Sequence, residues 1–387
     1  MARLEQIVSL NTLNRCSLLC TKQSRWKEAT QRYLANMLIN NIQLQDDVID
    51  GSYSVMPTTD FDLNERGHIR KIEAPAIRDK NLQKTLTINV LLPNIRPYLI
   101  YDNYASLKNR GTSFARKRFE ILLRKYVAKH GVNGYGLFID IKKYFESIPH
   151  SILKQRMEQR LSNESEEIRR LVNYIIDKTS HTDRGVNLGG EAPQIFAVDY
   201  LTPMDNYIKI VKGIKYYGRY MDDAFLFDVS KSKLKALRQE IENILASLGL
   251  ELNKKKTRIA KISNGFVFLQ IKYNVFPSGK ILKRPTHSKI VRERRRLKGF
   301  RRLLDKGVLD AESIQNCYLS WRGTMIKDHN ACHKTIKAMD DLYHKLFPEP
   351  VKKEKEKRSV LVKKINRKAD TEDLKYLFDI SRVNHED

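Results

Sequence analysis

Apolar and polar residues recur with recognisable periods along the chain, and their order predicts helices and strands in turn. Residues Trp26 to Ile42 carry apolar side chains at helical spacing, which predicts a helix there. A basic helix is predicted over 113–129, ending at Gly131. The apolar run from Gly134 to Ile141 is short and begins at a glycine, so it predicts a buried strand rather than a helix.

The segment 214–228 has two apolar runs on either side of Met221-Asp222-Asp223, a pattern typical of a β-hairpin with acidic residues at its turn. The other predicted elements are a β element at 67–72, helices at 79–84, 150–160, 165–177 and from the loop 184–190 to about 208, a helix at 231–247, strands at 257–262 and 266–273, and a helix at 289–306. This order predicts an α+β fold, with helices that back a mostly antiparallel sheet.

The charge balance points to a polyanionic partner. The chain has 72 Lys and Arg against 45 Asp and Glu, a net charge of +27. Segments 289–306 and 351–368 each hold nine basic residues against two acidic ones. Basic side chains that neutralise phosphates release counterions, so nucleic acid is the leading candidate and an anionic membrane surface the second. The alternative is an ordinary basic protein with solvated charges.

Cysteine usage and hydropathy exclude several other classes. The four cysteines do not form the pattern of a disulfide scaffold. Cys332 and His333 have no second tight pair at zinc-ribbon spacing. No apolar run reaches the roughly 18 residues of a membrane helix, and the N-terminus has no signal-peptide core. We therefore expect a cytoplasmic protein without a membrane partner.

Three carboxylates are the strongest candidates for chemistry. Asp140 ends the predicted buried strand, while Asp222 and Asp223 lie at the predicted hairpin turn. Phosphoryl transfer to a 3′-hydroxyl uses two divalent ions, which prefer carboxylate oxygens. Strands paired at about 4.8 Å would bring the three together, and the backbone carbonyl of Ile141 could add an oxygen. The alternative is that aspartates are common in turns and are simply solvated.

Five segments resemble the sequence boxes of reverse transcriptases, and all five stand in the family's order. They are the first catalytic strand at Phe138–Ile148, the Gly-x-Pro-x-Gly-x-x-x-Ser-Gln loop at Gly185–Gln194, the Tyr-x-Asp-Asp box at Tyr220–Asp223, the box ending in Lys-Thr at Gly249–Thr257, and the primer-gripping hairpin at Gly265–Leu269. The resemblance covers about residues 60–345. Within it, Asn187 replaces the loop's Pro, Pro193 replaces the Ser before Gln194, and Gln270 stands where the hairpin would have Gly.

The resemblance implies a role for each site residue. Asp140, Asp222 and Asp223, with the Ile141 carbonyl, would hold two Mg²⁺ ions, with Mn²⁺ as an alternative. The remaining roles are an aromatic plate beneath the incoming sugar at Phe145, a contact to nucleotide or template at Gln194, triphosphate ligands at Arg70 and Arg78, and a general acid for pyrophosphate at Lys256. The alternatives are a core aromatic at Phe145 and solvated charges at the three basic positions.

The resemblance also implies a right-hand polymerase. Its parts would be an N-terminal extension at 1–60, fingers at 61–135, a palm at 136–273, a thumb at 274–348 and a basic tail at 349–387. The expected enzyme is a nucleotidyltransferase, an RNA-directed DNA polymerase that uses an RNA template, a DNA or RNA primer and deoxynucleoside triphosphates.

The biological branch stays open at this point. Pro193-Gln194 resembles bacterial rather than retroviral enzymes, and Ser320–Gly323 resembles the thumb end of diversity-generating-retroelement enzymes. The phage-defence reverse transcriptases of bacteria are similarly compact. A dedicated non-coding RNA and an accessory protein are further candidate partners. Two other functions remain: template-independent or self-primed synthesis of the abortive-infection type, and a non-catalytic nucleic-acid scaffold.

Overall fold

The computed structural model describes residues 3–65, 68–187, 189–327 and 331–348. The predicted basic tail at 349–387 therefore lies outside the described residues. The chain divides into two compact units after Lys283, and the predicted bounds of fingers, palm and thumb stay predictions. Among the described residues, no helix is both long and apolar enough to cross a membrane.

The N-terminal segment is helical. Its helices are α1 Leu4–Ile7, α2 Leu10–Thr21, α3 Glu28–Ala35 and α4 Met37–Ile49. The helix predicted over Trp26 to Ile42 is wrong as a single element, because the chain leaves helical geometry at Asn36 (φ −115°, ψ 30°). Asn side chains compete for backbone hydrogen bonds and favour helix ends over helix interiors. Trp26 lies outside both helices and is 76% exposed.

A β-hairpin and three helices connect this segment to the main sheet. They are β1 Thr59–Glu65, β2 His68–Ala74, α5 Ile77–Leu86, α6 Leu92–Ile95 and α7 Thr112–His130, with a π-helical stretch at Thr87–Leu91 and a 3-10 turn at Arg96–Tyr98. Helix α7 matches the predicted basic helix, and it ends at Gly131, whose φ of 61° favours glycine.

The central sheet has four antiparallel strands in the order β4-β5-β3-β6. The strands are β3 Tyr135–Ile139, β4 Tyr217–Tyr220, β5 Asp223–Asp228 and β6 Arg258–Lys261. The helices between them are α8 Tyr144–Ser147, α9 His150–Arg160, α10 Glu166–Asp177, α11 Glu191–Tyr200, α12 Thr202–Asn206 and α13 Lys231–Ser247, with a π-helical stretch at Tyr207–Val211. The predicted α+β fold with an antiparallel sheet is confirmed.

A three-stranded sheet follows the central sheet, and its last strand runs across the unit boundary at Lys283. It contains β7 Phe266–Phe268, β8 Ile271–Val275 and β9 Ile281–Pro285, after a 3-10 turn at Ile262–Asn264. Strands β7 and β8 form a hairpin whose turn residues, Leu269 and Gln270, have φ of 42° and 66°. Two-residue hairpins of this twist need positive φ at both positions, so Gln270 adopts a conformation that glycine would take more easily.

The second unit begins at Arg284 and contains three helices among its described residues. They are α14 His287–Asp305, α15 Ala311–Lys327 and α16 His333–Leu346. Their shared core consists of apolar side chains from all three helices and from Phe347, which directly follows α16; the helical members are Leu297, Ile314, Tyr318, Met339 and Tyr343. The basic segment predicted as a helix at 289–306 lies in α14 up to Asp305.

Candidate active site

Strand register brings the predicted carboxylates to one end of the central sheet. Strands β3 and β5 pair Ile139 with Ala224, so continuing the register by one residue sets Asp140 opposite Asp223. Directly opposed residues in antiparallel strands have Cα atoms about 4.5 to 5.5 Å apart. Asp222 lies in the two-residue turn that joins Tyr220 to Asp223. The hairpin predicted over 214–228 is thus present, with its acids at the turn.

The turn holds one residue in an unfavourable backbone conformation. Met221 has a φ of 52°, in the left-handed region that L-residues other than Gly, Asn and Asp seldom adopt. Its carbonyl accepts a hydrogen bond from Arg219 Nη1 at 2.9 Å. Arg219 is paired with Asp205, at 2.6 Å, and both side chains are fully buried. The sequence analysis missed this pair; an arginine inside the apolar run 214–228 was the available signal.

Asp140 is held by residues of the segment that resembles the Lys-Thr box. Asn253 Nδ2 donates to Asp140 Oδ1 at 2.7 Å, and Lys256 Nζ lies 3.2 Å from Oδ2. The Asn253 amide donates to the Asp140 carbonyl at 2.8 Å. The predicted proton donor Lys256 therefore lies at the predicted site, where it binds a carboxylate. Asn253 is a site residue that the sequence analysis missed.

The donor set suits a hard divalent cation in its chemistry. Asp140, Asp222, Asp223 and the Ile141 carbonyl offer oxygen atoms alone, which Mg²⁺ and Mn²⁺ prefer. The bridge between Ile141 and Leu252 is bonded through the Asp140 carbonyl and the Lys142 amide, so it does not use the Ile141 carbonyl. Among the described residues, no three His, Cys, Asp or Glu side chains are grouped closely enough to hold a metal ion.

Residues 59–275 match the family model described as reverse transcriptase (RNA-dependent DNA polymerase). The chain belongs to the reverse transcriptase family. The match covers all five of the sequence boxes, from the first catalytic strand to the primer-gripping hairpin. Residues 276–345, which the predicted resemblance included, lie outside it.

One curated bacterial protein and two solved yeast telomerases align with this reverse transcriptase. Protein YkfC of Escherichia coli (strain K12) is 24% identical over 277 residues, which cover 58% of this chain and 69% of YkfC. The apo telomerase of Candida tropicalis, truncated from its C-terminal domain, aligns with a TM-score of 0.45 and 14% identity over 64% of this chain and 60% of that one. Candida albicans telomerase, in complex with a TWJ fragment of telomeric RNA, aligns with a TM-score of 0.45 and 13% identity, over 78% and 62%. The chain thus spans about three fifths of these telomerase chains.

Phe145 and Gln194 lie on helices that begin within two of the reverse transcriptase boxes. Phe145, in α8, is half-buried against the core and meets the Tyr144 ring edge to face at 5.4 Å. Gln194, in α11, is half-buried, and its Oε1 accepts a hydrogen bond from Ser106 Oγ at 3.2 Å. Pro193 is the third residue of α11, where the missing N–H removes no intrahelical bond.

Tyr144 lies among the charged groups of the site. Burial raises the pKa of its phenol well above the ordinary value; the Arg219 charge acts to lower it and the Asp222 charge to raise it further. Its hydroxyl donates to the carbonyl of Ala197 in α11. The phenol is therefore a neutral, hydrogen-bonded group near Asp222, and it fixes the base of α8 just before Phe145.

The two arginines predicted as triphosphate ligands are placed differently. The side chain of Arg70 lies outside the described residues. Arg78 pairs with Asp47 of α4, donates to the Ser54 carbonyl at 3.1 Å and lies over the Tyr53 ring at 5.0 Å. These contacts tie α5 to the N-terminal helices and give Arg78 a structural role. Its nucleotide role stays a prediction.

Proposed function

We propose that this chain is an RNA-directed DNA polymerase that adds deoxynucleotides to a 3′ end, with Asp140, Asp222 and Asp223 as ligands of two Mg²⁺ ions. The observation that carries the proposal is the pairing of Ile139 with Ala224 in β3 and β5, whose register, continued by one residue, supports a position for Asp140 opposite Asp223 and beside the turn that contains Asp222. Membership of the reverse transcriptase family supports the same reaction.

The chain's own residues would orient the reacting groups. Bound divalent ions would activate the 3′-hydroxyl and stabilise the charge on the transferred phosphoryl group. Asn253 fixes one oxygen of Asp140 through its 2.7 Å hydrogen bond, which leaves the carboxylate a defined orientation. Lys256 is 69% exposed and carries its ammonium beside Asp140, so it is within reach of a departing pyrophosphate as a proton donor.

The nucleotide side of the proposed site is formed by Phe145 and Gln194. A half-buried aromatic ring offers an apolar face that leaves a ribose 2′-hydroxyl without a hydrogen-bond partner. The Val186 amide donates to the Phe145 carbonyl at 2.8 Å. This hydrogen bond joins the backbone of Phe145 to the loop that leads to Gln194. This arrangement supports a preference for deoxynucleotides.

Basic charge supports a nucleic-acid template. The net charge of +27 and the nine basic residues of segment 289–306 favour binding to phosphates without base specificity. The resemblance of Pro193-Gln194 to bacterial enzymes and of Ser320–Gly323 to retroelement enzymes, together with the bacterial relative YkfC, supports a role in a bacterial retroelement or in anti-phage defence.

Product analysis tests the proposal. The purified chain receives Mg²⁺, a defined RNA template, a DNA primer and either deoxynucleotides or ribonucleotides, and the product is sequenced. We expect a DNA copy of the RNA that requires the divalent ion. An untemplated polymer would instead indicate the template-independent alternative, a ribonucleotide product would contradict the DNA polymerase, and tight RNA binding without incorporation would indicate a scaffold.

A further inference from the structure

A fully buried ion pair adjoins the proposed catalytic turn. Arg219 in β4 and Asp205 in α12 both have 0% of their side chains exposed. Arg219 Nε donates to Asp205 Oδ1 at 2.8 Å and Nη2 donates to Oδ2 at 2.6 Å. Tyr217 Oη donates to the same carboxylate at 2.5 Å. Residues two apart on a strand face the same side, so Tyr217 and Arg219 approach Asp205 together.

The guanidinium has donors left over, and they reach the backbone. Nη1 donates to the carbonyl of Met221 at 2.9 Å, and Nη2 donates to the carbonyl of Val198 in α11 at 2.9 Å. Arginine holds its five N–H groups in a rigid plane, so one contact fixes the direction of the others. Asp205 therefore orients Arg219. Arg219 connects the hairpin turn at Met221 to α11 and α12 through its hydrogen bonds.

The turn needs such a restraint. Met221 has a φ of 52°, and left-handed conformations of bulky residues persist where the surroundings fix them. The peptide group that begins with the Met221 carbonyl ends with the amide of Asp222, and it is planar. A hydrogen bond that holds the carbonyl therefore also sets the direction in which the chain enters Asp222.

Stability alone does not account for a pair of this kind. Exchanging a buried ion pair for apolar residues of similar volume is often neutral or stabilising, because both charges lose their hydration. We propose that Arg219 is a positioning residue, oriented by Asp205, which holds Asp222 and Asp223 in place through the Met221 carbonyl. This inference rests on the proposed function of those two carboxylates.

The test makes the same apolar exchange in this pair and in a matched pair. Arg219→Met with Asp205→Leu removes both charges and keeps the space filled. Arg322→Met with Asp340→Leu is the control, because Asp340 likewise accepts hydrogen bonds from a tyrosine, Tyr318, and from Arg322. Both double variants, together with wild type, are purified as full chains and compared by thermal denaturation before kinetics.

We expect the Arg219 and Asp205 exchange to lower kcat for deoxynucleotide incorporation about 100-fold, the loss associated with a displacement of about 1 Å in an active site. The KM for the nucleotide should change little. The control exchange should leave kcat unchanged. If the first double variant does not fold, Arg219→Lys provides the same test, because the single nitrogen of lysine lacks the planar fork whose separate Nε, Nη1 and Nη2 atoms reach Asp205 and the two carbonyls.

Binding of Mn²⁺ to the purified protein, followed by electron paramagnetic resonance of the unbound ion, separates this inference from the proposed function. Misplaced carboxylates should weaken Mn²⁺ binding in the Arg219 variants but not in the control. Should wild type incorporate no nucleotide while the Arg219 variants still lose Mn²⁺ affinity, the proposed function fails and the positioning role stands. Wild-type kcat and Mn²⁺ affinity in a folded Arg219 variant would overturn the positioning role.

Discussion

The Tyr217–Asp205–Arg219 network of the first compact unit and the Tyr318–Asp340–Arg322 network of the second use the same residue types in different surroundings. In the first unit, Asp205 binds Tyr217 and Arg219, and the ion pair is fully buried. In the second, Asp340 binds Tyr318 at 2.6 Å and Arg322 at 2.8 Å, with 25% and 38% of the two charged side chains exposed.

The difference lies in where the arginine's remaining donors go. Arg219 continues to the carbonyl of Met221 and so to the turn that bears Asp222. The described hydrogen bonds of Arg322 end on Asp340, and they join α15 to α16. The same residue types therefore support a proposed site in one unit and helix packing in the other. The burial of the arginine and its hydrogen bonds to backbone carbonyls distinguish the two roles.

The largest expected difference between the networks is the cost of removing one charge. Asp205→Asn leaves a buried guanidinium without its counter-charge, which should lower the free energy of unfolding by about 3 to 5 kcal/mol. Asp340→Asn, in a partly exposed pair, should cost about 1 kcal/mol or less. Urea denaturation of the two full-length variants measures both. Equal losses would contradict the role assigned to burial.

A smaller difference is expected from the tyrosines. Tyr217→Phe removes a hydrogen bond to a fully buried carboxylate and should cost about 1.5 to 3 kcal/mol, the range for bonds to charged groups. Tyr318→Phe should cost less, because water can reach Asp340 and replace the lost hydroxyl. Thermal denaturation of the pair checks this order. The reverse order would indicate that the first network is not the tighter one.

The smallest expected effect is a pH dependence. Burial acts to raise the pKa of Asp340, but hydrogen bonds from Arg322 and Tyr318 outweigh it and hold that pKa below its ordinary value. A carboxyl whose pKa is lower in the folded protein than in the unfolded chain, where it is about 3.9, stabilises the fold at pH values above that unfolded value. This contribution is lost as the pH falls through the pKa of the folded state. Asp340→Asn should therefore flatten the acid side of the stability profile of the helical unit.

Fluorescence can report on that unit alone. The chain has two tryptophans; Trp26 is 76% exposed and can be changed to Phe, while Trp321 stacks on Tyr318 at 5.8 Å. In a Trp26→Phe background, emission from Trp321 follows the unfolding of the helical unit as the pH is lowered. A steeper acid loss in the Asp340→Asn variant than in its parent would contradict the assigned sign.

Sequence patterns predicted elements whose signals are local. Helices at 150–160 and 231–247 have the predicted bounds. In the second, apolar periodicity defines the buried face, and Ser230 accepts a hydrogen bond from the Lys233 amide at its start. The hairpin around Met221 was predictable because two apolar runs flank a polar turn.

Long-range partners were not predictable in this way. Asn253 is 113 residues from Asp140, and Asp205 meets Arg219 only because α12 packs on the central sheet. Neither pairing leaves a periodic signal, since each depends on tertiary packing. The same reason explains Arg78, whose placement against Asp47 and Tyr53 depends on how the N-terminal helices meet α5.

The most direct measurement compares two aspartates on strand β5. Asp223 begins the strand, where the β3–β5 register continued by one residue meets Asp140, whereas Asp228, at the other end, accepts a hydrogen bond from the Ser230 amide at 2.9 Å. Asp223→Asn should lower Mg²⁺-dependent deoxynucleotide incorporation at least about 100-fold, the scale of losing a group that stabilises transition-state charge. Asp228→Asn should keep the wild-type rate, and both should bind RNA normally. Wild-type incorporation by Asp223→Asn would contradict the assignment of the active site.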